Sequence, residues 1–308
     1  MPLSILAAPH DTEILICELG MNHSGEIDRM TKALCPDIAI ITNIGSSHIG
    51  NLGSREAIAK AKLEICNIIT NKATIIPQNE PLLYSSKNKV TFSVGDTNAD
   101  FSLKYKGENN VTIYQRGNEM LSANFAFTDS HLHTALLIAI IAASLAGADT
   151  ENIKKGISKI SSNNIRQKVI SCSKFNFYTD FYNSSPESLF AAFESLFGLY
   201  NFAKKSAIIG DILELGKFAE SIHYDIGKRL SEYDLHRLYL FGPLSKYIYN
   251  GAIDSKFPSE RMFLNTNENL PYITAQQIKE NSNYDEIILM KASRALKLER
   301  ILDYFTTN

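Results

Sequence analysis

Residues 37–50 read DIAIITNIGSSHIG: six residues dominated by Ile and Ala, bounded by Pro36, then a Gly/Ser-rich turn that carries Asn43 and His48. A short apolar run bounded by turn residues is the pattern of a strand buried on both faces, and such strands belong to parallel sheets. Upstream, Glu13 to Leu19 (EILICEL) is a second run of this kind, ending at Gly20. Downstream, Ser54 to Ile69 has helical periodicity and is followed by a third strand-like run, Ala73 to Pro77. Strand, helix, strand order implies an open sheet with crossovers. From Val90 to Phe127 the residues alternate and are punctuated by Gly, which predicts a β-rich insert of antiparallel hairpins. Helices over His131 to Ala146 and Thr150 to Ile160 close this half, and the polar Ser161 to Asn164 reads as a linker.

The second half repeats the alternation. Strands are expected at Phe175 to Thr179, Ser206 to Gly210, Leu238 to Phe241 and Glu286 to Met290, with helices at Pro186 to Tyr200 and Ile222 to Tyr233. The expected class is therefore α/β: a mostly parallel sheet with a β-rich insert over residues 1–164, and a Rossmann-like domain over 165–308.

The composition agrees. At 308 residues, with 44% hydrophobic and 21% charged residues, the chain is long enough for two domains and apolar enough to fill their cores. A formal net charge of -2 argues against a binder of nucleic acid working by bulk charge. No basic residue precedes the apolar Leu3 to Ala8, which argues against a secretory signal, and the apolar run Ala135 to Ala146 is shorter than the ~20 residues that span a bilayer. Cys17, Cys35, Cys66 and Cys172 show no metal-ligand spacing, and fit a reduced, cytoplasmic compartment.

In open α/β sheets functional groups gather at the carboxyl ends of strands. That rule selects Glu18, the turn carrying His48, Asp180 to Asn183, Asp211 to Glu214, and Lys291 to Arg294. Glu18 at a strand end could hold a hard cation such as Mg²⁺, or merely cap a helix. His48 stands just beyond a strand end, and a lone His in such a turn is more often structural or merely exposed. Lys62 falls in the same sector of its helix as Ile58, Ala61 and Ile65, at ~100° per residue, while Lys60, Glu64 and Asn67 face away. A lysine in an apolar sector must snorkel, pair, or lose its charge, for example by carbamylation. The KASR segment, Lys291 to Arg294, suits a carboxylate or phosphate, or is a solvated basic turn.

Taken in order, ELGMNHSGEI (18–27), TNIGSSHIG (42–50) with Lys62, TDFYNSSPESL (179–189), GDILELG (210–216) with His223, and KASR (291–294) resemble the Mur ligase family, and within it the MurF type. The resemblance implies an ATP-dependent amide ligase of peptidoglycan and cell-wall biosynthesis. In such an enzyme a carboxylate is phosphorylated by ATP with Mg²⁺, and an amino group then attacks the acyl phosphate. It further implies a UDP-linked muramoyl peptide and a D-amino-acid dipeptide as substrates, with no nucleic acid or membrane as partner. By position it assigns Glu18, His48 and a carbamylated Lys62 to the metal and Arg166, Asp180 and Asn183 to the nucleotide. Lys62, Asp180 and Asn183 would be catalytic, and Lys291, Ser293 and Arg294 would face the incoming amino acid.

The departures are specific. No GxxGK[ST] loop precedes Glu18, and the family's HNxxN segment reads His131-Leu132-His133-Thr134-Ala135. The family's N-terminal domain for the UDP-sugar also has no counterpart before Glu18. The expectation is a Mur-ligase-like chain that is inactive alone, or that takes its phosphate loop from a partner polypeptide. The other reading is a non-catalytic binding or scaffold module descended from such a ligase.

Overall fold

The computed structural model describes the chain except residues 69–72, 97, 107–108, 126–129, 161–167, 173, 201–202, 284 and 307–308, and the side chains of residues 130, 131 and 168. It consists of two compact units, Met1–Ile160 and Ser161–Asn308. The expected linker, Ser161 to Asn164, and Arg166 lie outside the described residues.

The first unit is built on a six-stranded sheet in the order β1-β2-β3-β4-β5-β6. Its strands are β1 (Ile38–Ile40), β2 (Ala73–Pro77), β3 (Lys89–Val94), β4 (Phe101–Tyr105), β5 (Asn110–Gln115) and β6 (Asn118–Asn124). β1 to β4 are parallel, while β4, β5 and β6 form an antiparallel meander. The helices are α1 (Pro2–Leu6), α2 (Glu26–Leu34), α3 (Ile49–Leu52), α4 (Arg55–Leu63), α5 (Ser130–Leu145) and α6 (Thr150–Ser158). Leu136, Leu137, Ile140 and Ile141 of α5 are buried in one cluster with Phe92, Leu103 and Ile113 of the strands, which explains why the helix is apolar over most of its surface.

Two expectations need correcting here. The hairpin character begins only at β4, since β3 pairs in parallel with β2 and β4 and belongs to the main sheet. More consequentially, Glu13 to Leu19 is not a strand: it makes no ladder, β1 is the edge of the sheet, and Ile14 and Ile16 are 64% and 88% exposed. An apolar run becomes a buried strand only when a neighbour satisfies its backbone N–H and C=O groups, and the described residues supply none. Glu18 is accordingly an exposed residue in an extended segment, not the terminus of a buried strand.

The second unit has the order β11-β10-β9-β12-β8-β7, parallel except for β7 against β8. The strands are β7 (Lys168–Cys172), β8 (Phe175–Thr179), β9 (Lys204–Gly210), β10 (Arg237–Phe241), β11 (Met262–Asn265) and β12 (Glu286–Lys291), and the helices α7 (Pro186–Leu199), α8 (Ala219–Leu230), α9 (Ser245–Asp254), α10 (Pro271–Asn281) and α11 (Glu299–Thr306). β12 lies between β8 and β9 although it comes last, so the carboxyl ends of β8, β9 and β12 meet where the winding reverses. That is the crevice in which open α/β sheets bind ligands. On one flank α8 and α9 approach through glycine: a Cβ at Gly227 would lie 2.0 Å from the Ile248 carbonyl oxygen, and one at Gly251 2.0 Å from that of Tyr224.

Candidate functional site

In the second unit three loops leave adjacent strand ends. The β12 strand ends at Lys291, whose residue is only 2% exposed. Its ammonium pairs with the Asp180 carboxylate at 3.0 Å and donates to the carbonyl oxygens of Asp180 and Asn183 at 3.2 and 2.8 Å. Burial pulls the lysine pKa down and Asp180 opposes that shift. The lysine therefore ties the loop after β8 to the end of β12. That loop then enters α7 through a capping box between Ser185 and Ser188, with Pro186 in the first turn.

Ser293 performs the equivalent task for the loop after β9. Its Oγ accepts from the Leu213 N–H at 2.9 Å, and its own N–H donates to the Asp211 carbonyl at 3.1 Å. Asp211 is 1% exposed, and its carboxylate accepts from the Leu244 N–H at 3.0 to 3.1 Å. Burial raises its pKa from 3.8 to about 6, against the lowering effect of the Leu244 and Ser245 N–H donors. The close approach needs Gly242, at φ 116°, because a Cβ there would sit 2.6 Å from Asp211 Oδ1. His223, fully buried, accepts from the Ile212 N–H through Nε2 at 3.0 Å, and its Nδ1 lies 2.6 Å from the Ala219 carbonyl. That pattern fixes the neutral tautomer with the proton on Nδ1, and burial lowers its pKa.

The structure thus brings Asp180, Lys291 and Ser293 to one sheet edge. Arg294 stands beside them, exposed and paired with Glu299 at 2.9 Å. Asn183 is exposed, with its side-chain oxygen accepting from the Ser184 N–H at 2.8 Å. In the sequence GDILELG with His223 is a polar cluster at a strand end and one of the family-like segments, with no role attached to it. The signal for their structural role is the two acids and His223 following one strand, but the burial of Asp211 is set by Gly242 and Leu244, which are distant in sequence.

In the first unit Lys62 is half-buried on α4 and Lys60 is exposed. Lys62 donates to the Asn43 carbonyl at 2.8 Å, and Arg55, two turns earlier on the same face of the helix, donates to the Ile44 carbonyl at 3.0 Å. α4 thus grips the turn that leads to His48, a half-buried residue in the left-handed region at φ 64°. Glu64, just beyond α4, accepts from the Gly25 and Asp28 N–H groups at 2.7 and 3.1 Å and caps α2. Among the described residues no group of three or more His, Cys, Asp or Glu has metal-holding geometry. A cation that keeps most of its waters needs only one or two carboxylates, and Glu18 is the one that the resemblance implies. Lys62, as a donor to Asn43, is not an oxygen ligand in this state. The donor set does not by itself make a cation site.

Residues 1–143 match the Mur ligase middle domain. The UDP-N-acetylmuramoyl-tripeptide--D-alanyl-D-alanine ligase of Bacillus subtilis (strain 168) is 36% identical over 98% of this chain and 66% of its own length. The ligase of the same name from Rickettsia prowazekii (strain Madrid E) is 32% identical over 98% of this chain and 68% of its own. The chain thus spans about two thirds of the curated relatives it matches. A crystal structure of MurF from Acinetobacter baumannii superposes with a TM-score of 0.78 at 25% identity, covering 93% of this chain and 63% of that one. The MurF ligase from Thermotoga maritima, solved in complex with ADP, shares the fold at 23% identity and a TM-score of 0.72, covering 92% of this chain and 65% of that one.

Proposed function

The chain belongs to the Mur ligase family, and on that premise we propose that it serves MurF-type amide-bond formation, joining a D-alanyl-D-alanine-like dipeptide to a UDP-linked muramoyl tripeptide. The observation that carries the reading is the buried Lys291–Asp180 pair at the switch point of the second sheet, 3.0 Å apart. It holds two loops rigid beside Arg294, whose guanidinium is exposed and can exchange Glu299 for a substrate carboxylate. In this reading the dipeptide carboxylate is fixed by Arg294, and its amine is carried toward an acyl phosphate. The neutral amine nitrogen forms the amide bond as the carbonyl carbon–phosphate oxygen bond breaks, and the proton it gives up leaves with the released phosphate. Lys291 and Ser293 orient the edge on which this occurs, while Asp180 and Asn183 contact ATP.

Mg²⁺ would neutralise phosphate charge. Glu18, His48 and a carbamylated Lys62 are its proposed contacts. Arg166 is likewise a proposed nucleotide contact. Because these 308 residues hold no GxxGK[ST] loop, the phosphate loop in this reading comes from polypeptide outside them, in the cytoplasm. The test measures phosphate release with ATP, Mg²⁺, UDP-linked muramoyl tripeptide and D-alanyl-D-alanine, on residues 1–308 alone and mixed with the amino-terminal third of the Bacillus subtilis ligase. Turnover only in the mixture, lost in Arg294→Gln, supports the reading. No turnover in the mixture, with dipeptide still bound, favours the non-catalytic binding module.

A further inference from the structure

At the opposite end of the second sheet, three neighbouring parallel strands each begin at a cation. β11 is preceded by Arg261, β10 by His236 at its first residue Arg237, and β9 starts with Lys204 and Lys205. Lys204, Lys205, His236 and Arg261 line one cleft of ≈ 250 Å³, together with Phe197, Ala203 and a single acid, Asp234.

The other charges nearby are already matched. Lys204 pairs with Asp285 at 2.9 Å, and Arg237 pairs with the fully buried Glu286, which also takes the Ser206 and Ser282 hydroxyls at 2.7 and 3.0 Å. Lys205 is 8% exposed, yet its ammonium donates only to the Ala203 carbonyl at 3.0 Å and faces the Phe197 ring at 5.0 Å, with no carboxylate among the described residues. The Arg261 guanidinium makes no ion pair among them either.

An ammonium that lines a cleft with no carboxylate partner is open to an anion. The cations act on His236 in the expected sense: burial first, then Arg237, Lys204 and Arg261, hold its pKa down while Glu286 pulls it up. Its Nε2 lies 3.6 Å from the Glu286 carboxylate.

We propose that this cleft is a binding site for a phosphate group, with Lys205 and Arg261 supplying the two charges. A tetrahedral dianion matches two cations and several donors better than a single carboxylate does. The site stands at the amino ends of the strands, apart from the edge assigned to ligation, and does not depend on that assignment.

The test is a titration of residues 1–308 with inorganic phosphate, followed by amide NMR at constant ionic strength set with chloride. Saturable shifts in the millimolar range or below are expected, centred on residues 203–206, 235–237 and 260–262. Arg261→Gln, at an exposed position that leaves the fold intact, should weaken binding at least five-fold, whereas Arg294→Gln at the other sheet edge should not. Phosphate shifts that fail to saturate, or an affinity unchanged by Arg261→Gln, would overturn the proposal. A mixed monoester and phosphate competition then separates sources: a monoester binding ten-fold tighter identifies an organic phosphate as the occupant, and equal affinities identify the free ion.

Discussion

Lys291 and Asp180 meet at 3.0 Å across the ends of β12 and β8, the lysine side chain 2% and the aspartate side chain 16% exposed. The asymmetry sets the consequences of breaking the pair. Removing one partner of a buried ion pair costs about 3–5 kcal/mol when the survivor stays buried. Asp180→Asn strands an ammonium that water cannot reach, whereas Lys291→Met strands a carboxylate that water can. Urea unfolding should therefore show Asp180→Asn to be the more destabilising of the two. The reverse order would mean that the pair is not held as described.

Two groups that hold the loop after β9, Asp211 within it and His223 on α8, titrate in opposite senses. Asp211 has a folded pKa of about 6, raised from 3.8. Its contribution favours folding fully below ~4 and is lost as pH rises through 6. His223 has its pKa lowered, so its contribution is present above its ordinary value of 6.5 and is lost as pH falls. Asp211→Asn keeps an acceptor for the Leu244 N–H and removes the ionisation. It should stabilise the chain at pH 8 by up to an amount on the order of 3 kcal/mol, and by nothing near pH 4. Thermal unfolding across that range checks the sign.

The α8–α9 contact gives a test of packing alone. Ala at Gly227 or Gly251 would place a methyl 2.0 Å from a backbone carbonyl oxygen of the facing helix. Backbone cannot yield as a side-chain tip can, so each substitution should cost at least about 1–3 kcal/mol by overpacking. Gly198, with nothing within 4 Å of a Cβ and a helical backbone, should accept Ala without loss. Melting temperatures of the three variants decide it.

Much of the second unit was legible because its strands are short apolar runs closed by Asp180, Asp211 and Lys291, so the strand-end rule picks out the crevice directly. β7 and β11 were missed: Lys168–Cys172 is an edge strand whose Val169 is 43% exposed, and Met262–Asn265 is only four residues long. The first unit misled at EILICEL, where composition alone describes a buried strand and only the pairing partner decides. Ser293 and His223 were visible as residue types, but what they do depends on hydrogen bonds to Leu213 and Ile212, and a backbone N–H leaves no mark in a sequence.

ATP affinity follows from what residues 1–308 contain. Phosphate binding in nucleotide sites rests on clustered backbone N–H donors and a lysine at a helix N-terminus. The one such terminus next to the ELG segment, that of α2, is already occupied by the Glu64 carboxylate. Calorimetry on this chain with Mg²⁺ should show ATP binding weaker than micromolar. A micromolar constant would locate a phosphate cradle elsewhere in these residues.

Lys62 and Lys60 test the register of α4 and the role of its inner face. At ~100° per residue they point about 160° apart, and only Lys62 is half-buried. Its ammonium holds the Asn43 carbonyl at 2.8 Å, and through that carbonyl it fixes the turn that continues to His48. Lys62→Met keeps the stem packed and gives up one charge-assisted hydrogen bond, so the loss of stability should not exceed about 1.5–3 kcal/mol. Its effect should instead be local: amide exchange should accelerate over residues 43–48 and stay unchanged in β2 and β3. Lys60→Met should alter neither quantity. If both variants leave exchange in the turn untouched, Lys62 is not what orders it, and the link from α4 to His48 fails. If both accelerate it equally, the effect is one of net charge, and salt should abolish it over the Debye length of about 10 Å at 0.1 M.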